Sequence, residues 1–160
     1  MDIEDDEIIN LWRLCNQINL EYIMVGGFAS NFHGFQRITA DIDIWIKDTV
    51  YNRQKLRKIL KELGIGDFKS IETTQFVPGF TSIMLNTGIE LDIMTALKGF
   101  DQVRFEECYE MCSIAIIQEV PVRFMNIKQL IESKIASGRP KDLIDIDELN
   151  KIKKLNSDNK

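Results

Sequence analysis

The chain has 160 residues, 44% of them hydrophobic, which is enough for one sizeable core and too little for two domains of ordinary size. A net charge of −5 and a pI near 5.0 argue against a protein that binds nucleic acid through its overall charge. No apolar run approaches the ~20 residues of a membrane helix, and three cysteines without a secretory signal predict a cytoplasmic protein.

The N-terminal part of the chain predicts a helix, a buried strand and a glycine turn. Apolar residues recur at three- and four-residue steps between residues 4 and 19, which predicts a helix that packs on a sheet. Four apolar residues then run into Gly26 and Gly27, as in a buried strand that ends at a tight turn. Because glycines carry no Cβ atom, a phosphate can approach the main-chain N–H groups where a helix over residues 28–32 begins. His33 is expected to cap this helix or to pack, with a contact to nucleotide as the alternative.

Asp41 and Asp43 lie two residues apart in the next predicted strand, so a period of two places both carboxylates on one face. Two like charges side by side repel each other, and a fold keeps such a pair mainly where a cation holds it. Ligands that are all oxygen suit Mg²⁺, which often bridges carboxylates to substrate phosphates. Thr39 is expected to point the same way as Asp41 and to orient it. Arg37 is expected either to bind phosphate oxygens or to form a surface salt bridge.

Residues 51–63 predict an amphipathic helix with a strongly basic outer face. An apolar stripe faces the core, and five Lys and Arg side chains occupy the other side. Such a face fits either solvent exposure or RNA binding. Solvent exposure is favoured, because no aromatic residues that could stack bases alternate with the basic ones.

A third acid, Asp92, lies between apolar residues in a later predicted strand, where an unpaired charge would be costly. Residues 68–76 and 80–85 predict two further strands, and the Asn-Thr-Gly sequence that follows predicts a hairpin turn into the strand of Asp92. Neighbouring antiparallel strands would then bring Asp92 beside Asp41 and Asp43. The three acids together would complete a site for two metal ions.

The C-terminal third predicts helices, one β-hairpin and a polar tail. The hairpin contains a proline and is expected at the sheet edge. The predicted elements are a helix over residues 105–111, hairpin strands over 113–117 and 120–124, a helix over 127–137 with Asn126 as its N-cap, a final helix from Pro140, and a disordered tail over 155–160.

The order of the motifs resembles the DNA polymerase β-like nucleotidyltransferase superfamily. The resemblance rests on Gly26-Gly27, on Asp41-x-Asp43 after a gap of thirteen residues, and on a separate strand that carries Asp92. It implies that the glycines line the triphosphate of an NTP and that Asp41 and Asp43 hold the metals. It also implies that Asp92 binds one of two Mg²⁺ ions and acts as a base toward the attacking group. Many members carry serine at the position of Gly27.

A second element resembles the abortive-infection toxin branch of the superfamily and related small bacterial nucleotidyltransferases. It consists of Lys134, then Arg139-x-Lys141-Asp142, then Asp145. The resemblance implies that Lys134 contacts the triphosphate and that Asp142 or Asp145 steadies the lysine. Ordinary ion pairing on a helix surface is the alternative.

The expected fold is α/β (α+β), with a mixed, mostly antiparallel sheet and helices packed chiefly on one side, in a nucleotidyltransferase domain over residues 1–154. The expected reaction is Mg²⁺-dependent transfer of a nucleoside monophosphate from an NTP to a hydroxyl group, with release of pyrophosphate. The expected catalytic and metal-binding residues are Asp41, Asp43 and Asp92, and the expected nucleotide-binding residues are Gly26, Gly27, Arg37 and Lys134.

The acceptor stays open at the level of sequence. A small hydroxylated molecule such as an aminoglycoside or lincosamide antibiotic, a tRNA, and a protein side chain in a toxin–antitoxin system all fit the motifs. A protein partner or a homodimer stays open as well, and no membrane partner is expected. The alternative function is a catalytically inactive module that senses nucleotide or binds a partner. Three converging acids argue against that alternative, because binding alone does not require a two-metal site.

Overall fold

A six-stranded mixed sheet, in the strand order β3-β4-β2-β1-β6-β5, forms the centre of the protein. The computed structural model describes residues 5–159. The strands are β1 (Tyr22–Met24), β2 (Asp41–Ile46), β3 (Phe80–Met84), β4 (Glu90–Met94), β5 (Ser113–Ile117) and β6 (Val120–Phe124). The helices are α1 (Asp6–Ile18), α2 (Gly26–Phe32), α3 (Val50–Glu62), α4 (Phe105–Glu110), α5 (Ile127–Ser137) and α6 (Pro140–Asp158).

The predicted α/β architecture with a mixed, mostly antiparallel sheet is confirmed. The pairs β1–β2, β3–β4 and β5–β6 are antiparallel, whereas β1–β6 and β2–β4 are parallel. The β5–β6 hairpin lies at one edge of the sheet, as its proline predicts, and the Asn126 side chain caps α5 by accepting a hydrogen bond from the Lys128 N–H. No helix in the described part of the chain is long and apolar enough to cross a membrane.

Strand β2 joins the core to the acidic face of the sheet. Ile42 and Ile44 are buried in the hydrophobic core, whereas the alternate residues Asp41 and Asp43 project from the other face. Helix α1 packs behind the sheet, where the Trp12 ring stacks on the Tyr22 ring with centroids 5.3 Å apart. The core therefore fixes which side chains of β2 reach the acidic face.

Strand β4 pairs with β2 in parallel, which corrects the expected antiparallel arrangement of the acid-bearing strands. The β3–β4 hairpin forms as predicted, but β4 then lies beside β2 with Asp43 directly opposite Asp92. The chain between β2 and β3 includes α3, and such a crossover allows two strands to pair in parallel. The acids are brought together by this pairing.

The strand predicted over residues 68–76 is wrong, because this segment forms a short 3-10 helix at Lys69–Glu72 within a loop. Its backbone carbonyls bond to a side chain instead of a neighbouring strand. The buried guanidinium of Arg53 donates to the carbonyl oxygens of Ile71 (3.1 Å) and Thr74 (2.6 Å) and lies 4.3 Å from the centre of the Phe76 ring. The Arg53 side chain thus supplies the hydrogen-bond donors that a neighbouring strand would otherwise provide.

Two predicted boundaries also change. The tail predicted to be disordered from residue 155 is helical as far as Asp158, because α6 continues and adding a residue to a formed helix is much easier than starting one. Lys160 and the predicted helix start at residue 4 lie outside the described residues, and α1 begins at Asp6 behind an Asp5 cap.

The basic face of α3 is partly neutralised by the chain itself. Arg53, predicted on the outer face, is instead buried and pairs with Asp48 (2.6 Å), whereas Arg57 pairs with Asp67 (2.6 Å) and Glu72 (2.9 Å). These contacts favour a structural role over RNA binding for the arginines of this helix.

We expect Arg53→Met to lower the free energy of unfolding by about 2–4 kcal/mol, because the buried carbonyls and Asp48 lose their partner. Lys58→Met is the control, since Lys58 is an exposed lysine of the same helix. Urea unfolding followed by circular dichroism measures both. Equal stabilities of the two variants would contradict the bridging role of Arg53.

Candidate active site

Three carboxylates converge on the acidic face of the sheet. Asp43 of β2 lies directly opposite Asp92 of β4, and Asp41 lies two residues before Asp43 on the same face. One oxygen atom from each of the three side chains lies within 4.8 Å of the other two. Among residues 5–159, no Lys or Arg side chain forms a salt bridge with any of these acids. No direct ion pair within these residues therefore neutralises the cluster, although the charge of Lys134 acts on Asp43 from a distance.

The central acid of the cluster shows the electrostatic consequence. Burial, together with the negative charges of Asp41 and Asp92, raises the pKa of Asp43 to about 6, while a hydrogen bond from the Gly27 backbone and the positive charge of Lys134 oppose the rise. Three close carboxylates with oxygen donors only are the ligand set of a hard divalent cation. The residues present thus fit Mg²⁺.

Each outer acid also accepts a hydrogen bond from a hydroxyl group. Thr39 Oγ1 donates to Asp41 Oδ1 (3.1 Å), which confirms its predicted orienting role. Ser82 Oγ donates to Asp92 Oδ1. Sequence reasoning missed Ser82, although the register of a hairpin that turns at residues 86–88 places it opposite Asp92.

The glycine turn packs directly against the acids. Gly26 has a φ of +65°, and a Cβ atom there would overlap Asp43 Oδ2. A Cβ atom on Gly27 would lie 2.6 Å from Thr39 Oγ1 and 3.1 Å from Arg37 Nη2, so Thr39 leaves no room for serine at this position. Helix α2 begins at Gly26 itself, two residues earlier than predicted. The turn thus lies between the acid cluster and the neighbouring cations.

Two cations on the other side of the turn share one buried acid. Arg37 Nη1 lies 3.1 and 2.9 Å from the two oxygens of Asp145, and Lys134 Nζ lies 2.6 Å from Asp145 Oδ2. Asp145 and Lys134 are almost fully buried. Of the two acids expected to steady Lys134, Asp145 does so, whereas Asp142 pairs with Arg139 (2.8 Å).

All seven predicted site residues line one cavity of about 530 Å³. Its wall also includes the basic residues Lys98, Arg139 and Lys141 and an apolar group at the ends of β3 and β4. The cavity therefore has an acidic side at the sheet and a basic side beneath α5 and α6. The seven are Gly26, Gly27, Arg37, Asp41, Asp43, Asp92 and Lys134.

His33 lies outside the residues that line the cavity and contacts the backbone of a neighbouring segment instead. Its Nε2 lies 2.7 Å from the carbonyl oxygen of Met125, and burial lowers its pKa. This contact ties the end of α2 to the segment before α5, in line with the expected capping or packing role.

The sequence matches, over residues 5–159, the family described as nucleotidyltransferase of unknown function (DUF6036). The chain belongs to this nucleotidyltransferase family. The match spans every helix and strand and includes all seven residues of the cavity. No protein with a curated description matches the sequence.

Solved structures of other nucleotidyltransferases share the fold of this family member. The lincosamide antibiotic adenylyltransferase LnuA, solved with lincomycin bound, is 18% identical with a TM-score of 0.57, and the match covers 92% of this chain and 97% of LnuA. An antigenic nucleotidyltransferase-like protein from Paracoccidioides brasiliensis is 17% identical with a TM-score of 0.56 over 94% of this chain and 77% of that one. ANT(2″)-Ia, in complex with adenylyl-2″-tobramycin, is 18% identical with a TM-score of 0.52, and the match covers 94% of this chain and 92% of that one.

Gly26→Ala and Gly88→Ala form a matched pair of variants. Both positions have a positive φ, +65° and +85°, so the backbone conformation alone costs each alanine variant about 1–2 kcal/mol of unfolding free energy. A Cβ atom meets Asp43 only at position 26, since nothing lies within 4 Å at position 88. We expect Mg²⁺ to raise the melting temperatures of the wild type and of Gly88→Ala by similar amounts, and to leave that of Gly26→Ala unchanged. An equal response of both variants would contradict the contact between the turn and Asp43.

The pKa of Asp43 predicts how the stability of the metal-free protein depends on pH. Because the folded-state pKa of about 6 lies above the ordinary 3.8, ionisation of Asp43 destabilises the fold progressively as pH rises from 3.8 to 6, and the cost is complete above pH 6. We expect Asp43→Asn to be more stable than the wild type at pH 7 by roughly 1–3 kcal/mol, and equally stable near pH 3.5. Urea unfolding with a chelator present measures this difference, and Glu90→Gln is the control because Glu90 is an exposed acid of β4.

Proposed function

We propose that this protein is a Mg²⁺-dependent nucleotidyltransferase that transfers a nucleoside monophosphate from an NTP to a hydroxyl acceptor and releases pyrophosphate. The observation that carries the proposal is the convergence of Asp41, Asp43 and Asp92 in a cavity whose other side is basic. Membership of a nucleotidyltransferase family supports it.

The acids and the cations divide the proposed work between them. Asp41, Asp43 and Asp92 would hold two Mg²⁺ ions, which supply charge neutralisation and lower the pKa of the acceptor hydroxyl. Arg37 and Lys134 bind the β- and γ-phosphates. The two cations share a single acid, Asp145, so the group keeps a net charge of about +1 for the phosphates.

The glycine turn and the third acid complete the proposal. Gly26 and Gly27 let the triphosphate lie close to the backbone between the acids and the cations. The oxygen of the acceptor hydroxyl bonds to the α-phosphorus, and Asp92 accepts the proton that this hydroxyl loses. The bond between the α-phosphorus and the bridging oxygen breaks at the same time, and pyrophosphate leaves.

We propose a small hydroxylated molecule as the acceptor. Two solved proteins of the same fold, LnuA and ANT(2″)-Ia, are described with lincomycin and with adenylylated tobramycin, respectively. A tRNA or a protein side chain, as in toxin–antitoxin systems, is the alternative acceptor. We propose the cytoplasm as the setting, where NTPs and Mg²⁺ are abundant and the three free cysteines stay reduced.

The test is transfer of label from α-labelled NTPs in the presence of Mg²⁺, with lincosamides, aminoglycosides, tRNA and protein as separate acceptors. We expect transfer to one acceptor, at least ~100-fold slower in Asp41→Asn and Asp92→Asn. We expect Lys134→Met to bind NTP about tenfold more weakly, and the control Lys128→Met, an α5 variant outside the cavity, to bind it normally.

NTP binding without transfer to any acceptor, unchanged in Asp41→Asn and Asp92→Asn, would favour the catalytically inactive sensor. Unchanged NTP affinity in Lys134→Met would remove Lys134 from the site.

A further inference from the structure

The edge strand β3 places a hydroxyl group against the third acid of the cluster. Ser82 lies directly opposite Asp92 in the antiparallel β3–β4 ladder, and Ser82 Oγ donates a hydrogen bond to Asp92 Oδ1. Directly opposite residues project from the same face of a sheet. Because β4 lies between β3 and β2, Ser82 contacts Asp92 from the side away from Asp43.

Asp92 needs a partner on the β3 side because the negative charges of Asp41 and Asp43 repel it from the β2 side. Asp43 lies beside it in β2 with Asp41 next to Asp43, whereas β3 contains no charged residue. Coulomb repulsion at separations below 5 Å near a protein surface exceeds thermal energy several-fold. Asp92 is only half-buried, so without a restraint its carboxylate would turn toward solvent.

A hydroxyl restrains a carboxylate without neutralising it. A lysine at position 82 would cancel the charge that a divalent cation requires, whereas a serine occupies one oxygen and leaves the other free. The other two acids have equivalent partners. Thr39 Oγ1 donates to Asp41, and the backbone N–H of Gly27 donates to Asp43. Each acid of the cluster thus has one uncharged donor from a different segment of the chain.

We propose that Ser82 is a positioning residue of the metal site, whose hydroxyl holds Asp92 so that its free oxygen binds a divalent cation together with Asp41 and Asp43. The proposal rests on the metal-binding role of the acid cluster in the proposed function. It adds a residue outside the acid motifs to the set that determines metal affinity.

The test is the Mn²⁺ affinity of the nucleotide-free full chain, measured by electron paramagnetic resonance. We expect Ser82→Ala to weaken Mn²⁺ binding about tenfold, the usual loss when the partner of a metal ligand is removed. Ser82→Thr keeps the hydroxyl and should retain most of the affinity. Thr81→Ala is the matched control, because Thr81 is the adjacent residue of β3 and pairs opposite Ile93 on the other face. It should bind Mn²⁺ like the wild type.

Asp92→Asn distinguishes a failure of this proposal from a failure of the metal site. We expect Asp92→Asn alone to weaken Mn²⁺ binding, and Ser82→Ala to add less than about twofold in that background. Unchanged affinity in Ser82→Ala, or a full tenfold further loss in the Asp92→Asn background, would overturn the role of Ser82. Unchanged affinity in Asp92→Asn would contradict the metal site and the proposed function with it.

Intact mass measured after incubation with Mg²⁺ and ATP provides an independent check. We expect no added mass, because Ser82 orients Asp92 and does not react. A nucleotide ester on Ser82 would show that its hydroxyl is itself an acceptor and would overturn the positioning role.

Discussion

Three carboxylates lie closer together than their charges favour, and the arrangement around the cavity follows from that constraint. Asp43 and Asp92 cannot separate, because the parallel β2–β4 ladder fixes their backbones side by side. Ile42 and Ile44 fix the register from the opposite face, since a slip of one residue would turn both out of the core. Core packing therefore maintains an acid cluster that is unfavourable until a cation binds.

Three of the five basic side chains that line the cavity are held by acids outside this cluster. Arg37 and Lys134 both bind Asp145, and Arg139 binds Asp142, so three basic side chains have acidic partners of their own. The glycine turn separates the two charged regions without a side chain between them. A metal-bound triphosphate needs this separation, because its metal ions bind carboxylates while its phosphate oxygens bind cations.

Local sequence patterns predict most of the fold and the approach of the acids, and they fail where distant segments decide the outcome. Asp41-x-Asp43 and the hairpin before Asp92 are encoded by neighbouring residues. The parallel pairing of β2 with β4 is not, because it depends on a crossover. Residues 68–76 have strand-like apolar residues, but their carbonyls bind Arg53 of a distant helix. The pairing of Ser82 with Asp92 follows from counting residues around the predicted hairpin turn, whereas the hydrogen bond between their side chains is seen only in the structure.

A crystal structure with Mn²⁺ and a non-hydrolysable ATP analogue, with Mn²⁺ located by anomalous scattering, tests the central claim most directly. The account predicts Mn²⁺ bound by oxygens of Asp41, Asp43 and Asp92, with the triphosphate between the glycine turn and Lys134. Bound analogue without an anomalous signal at the three acids, or Mn²⁺ bound elsewhere, would contradict it.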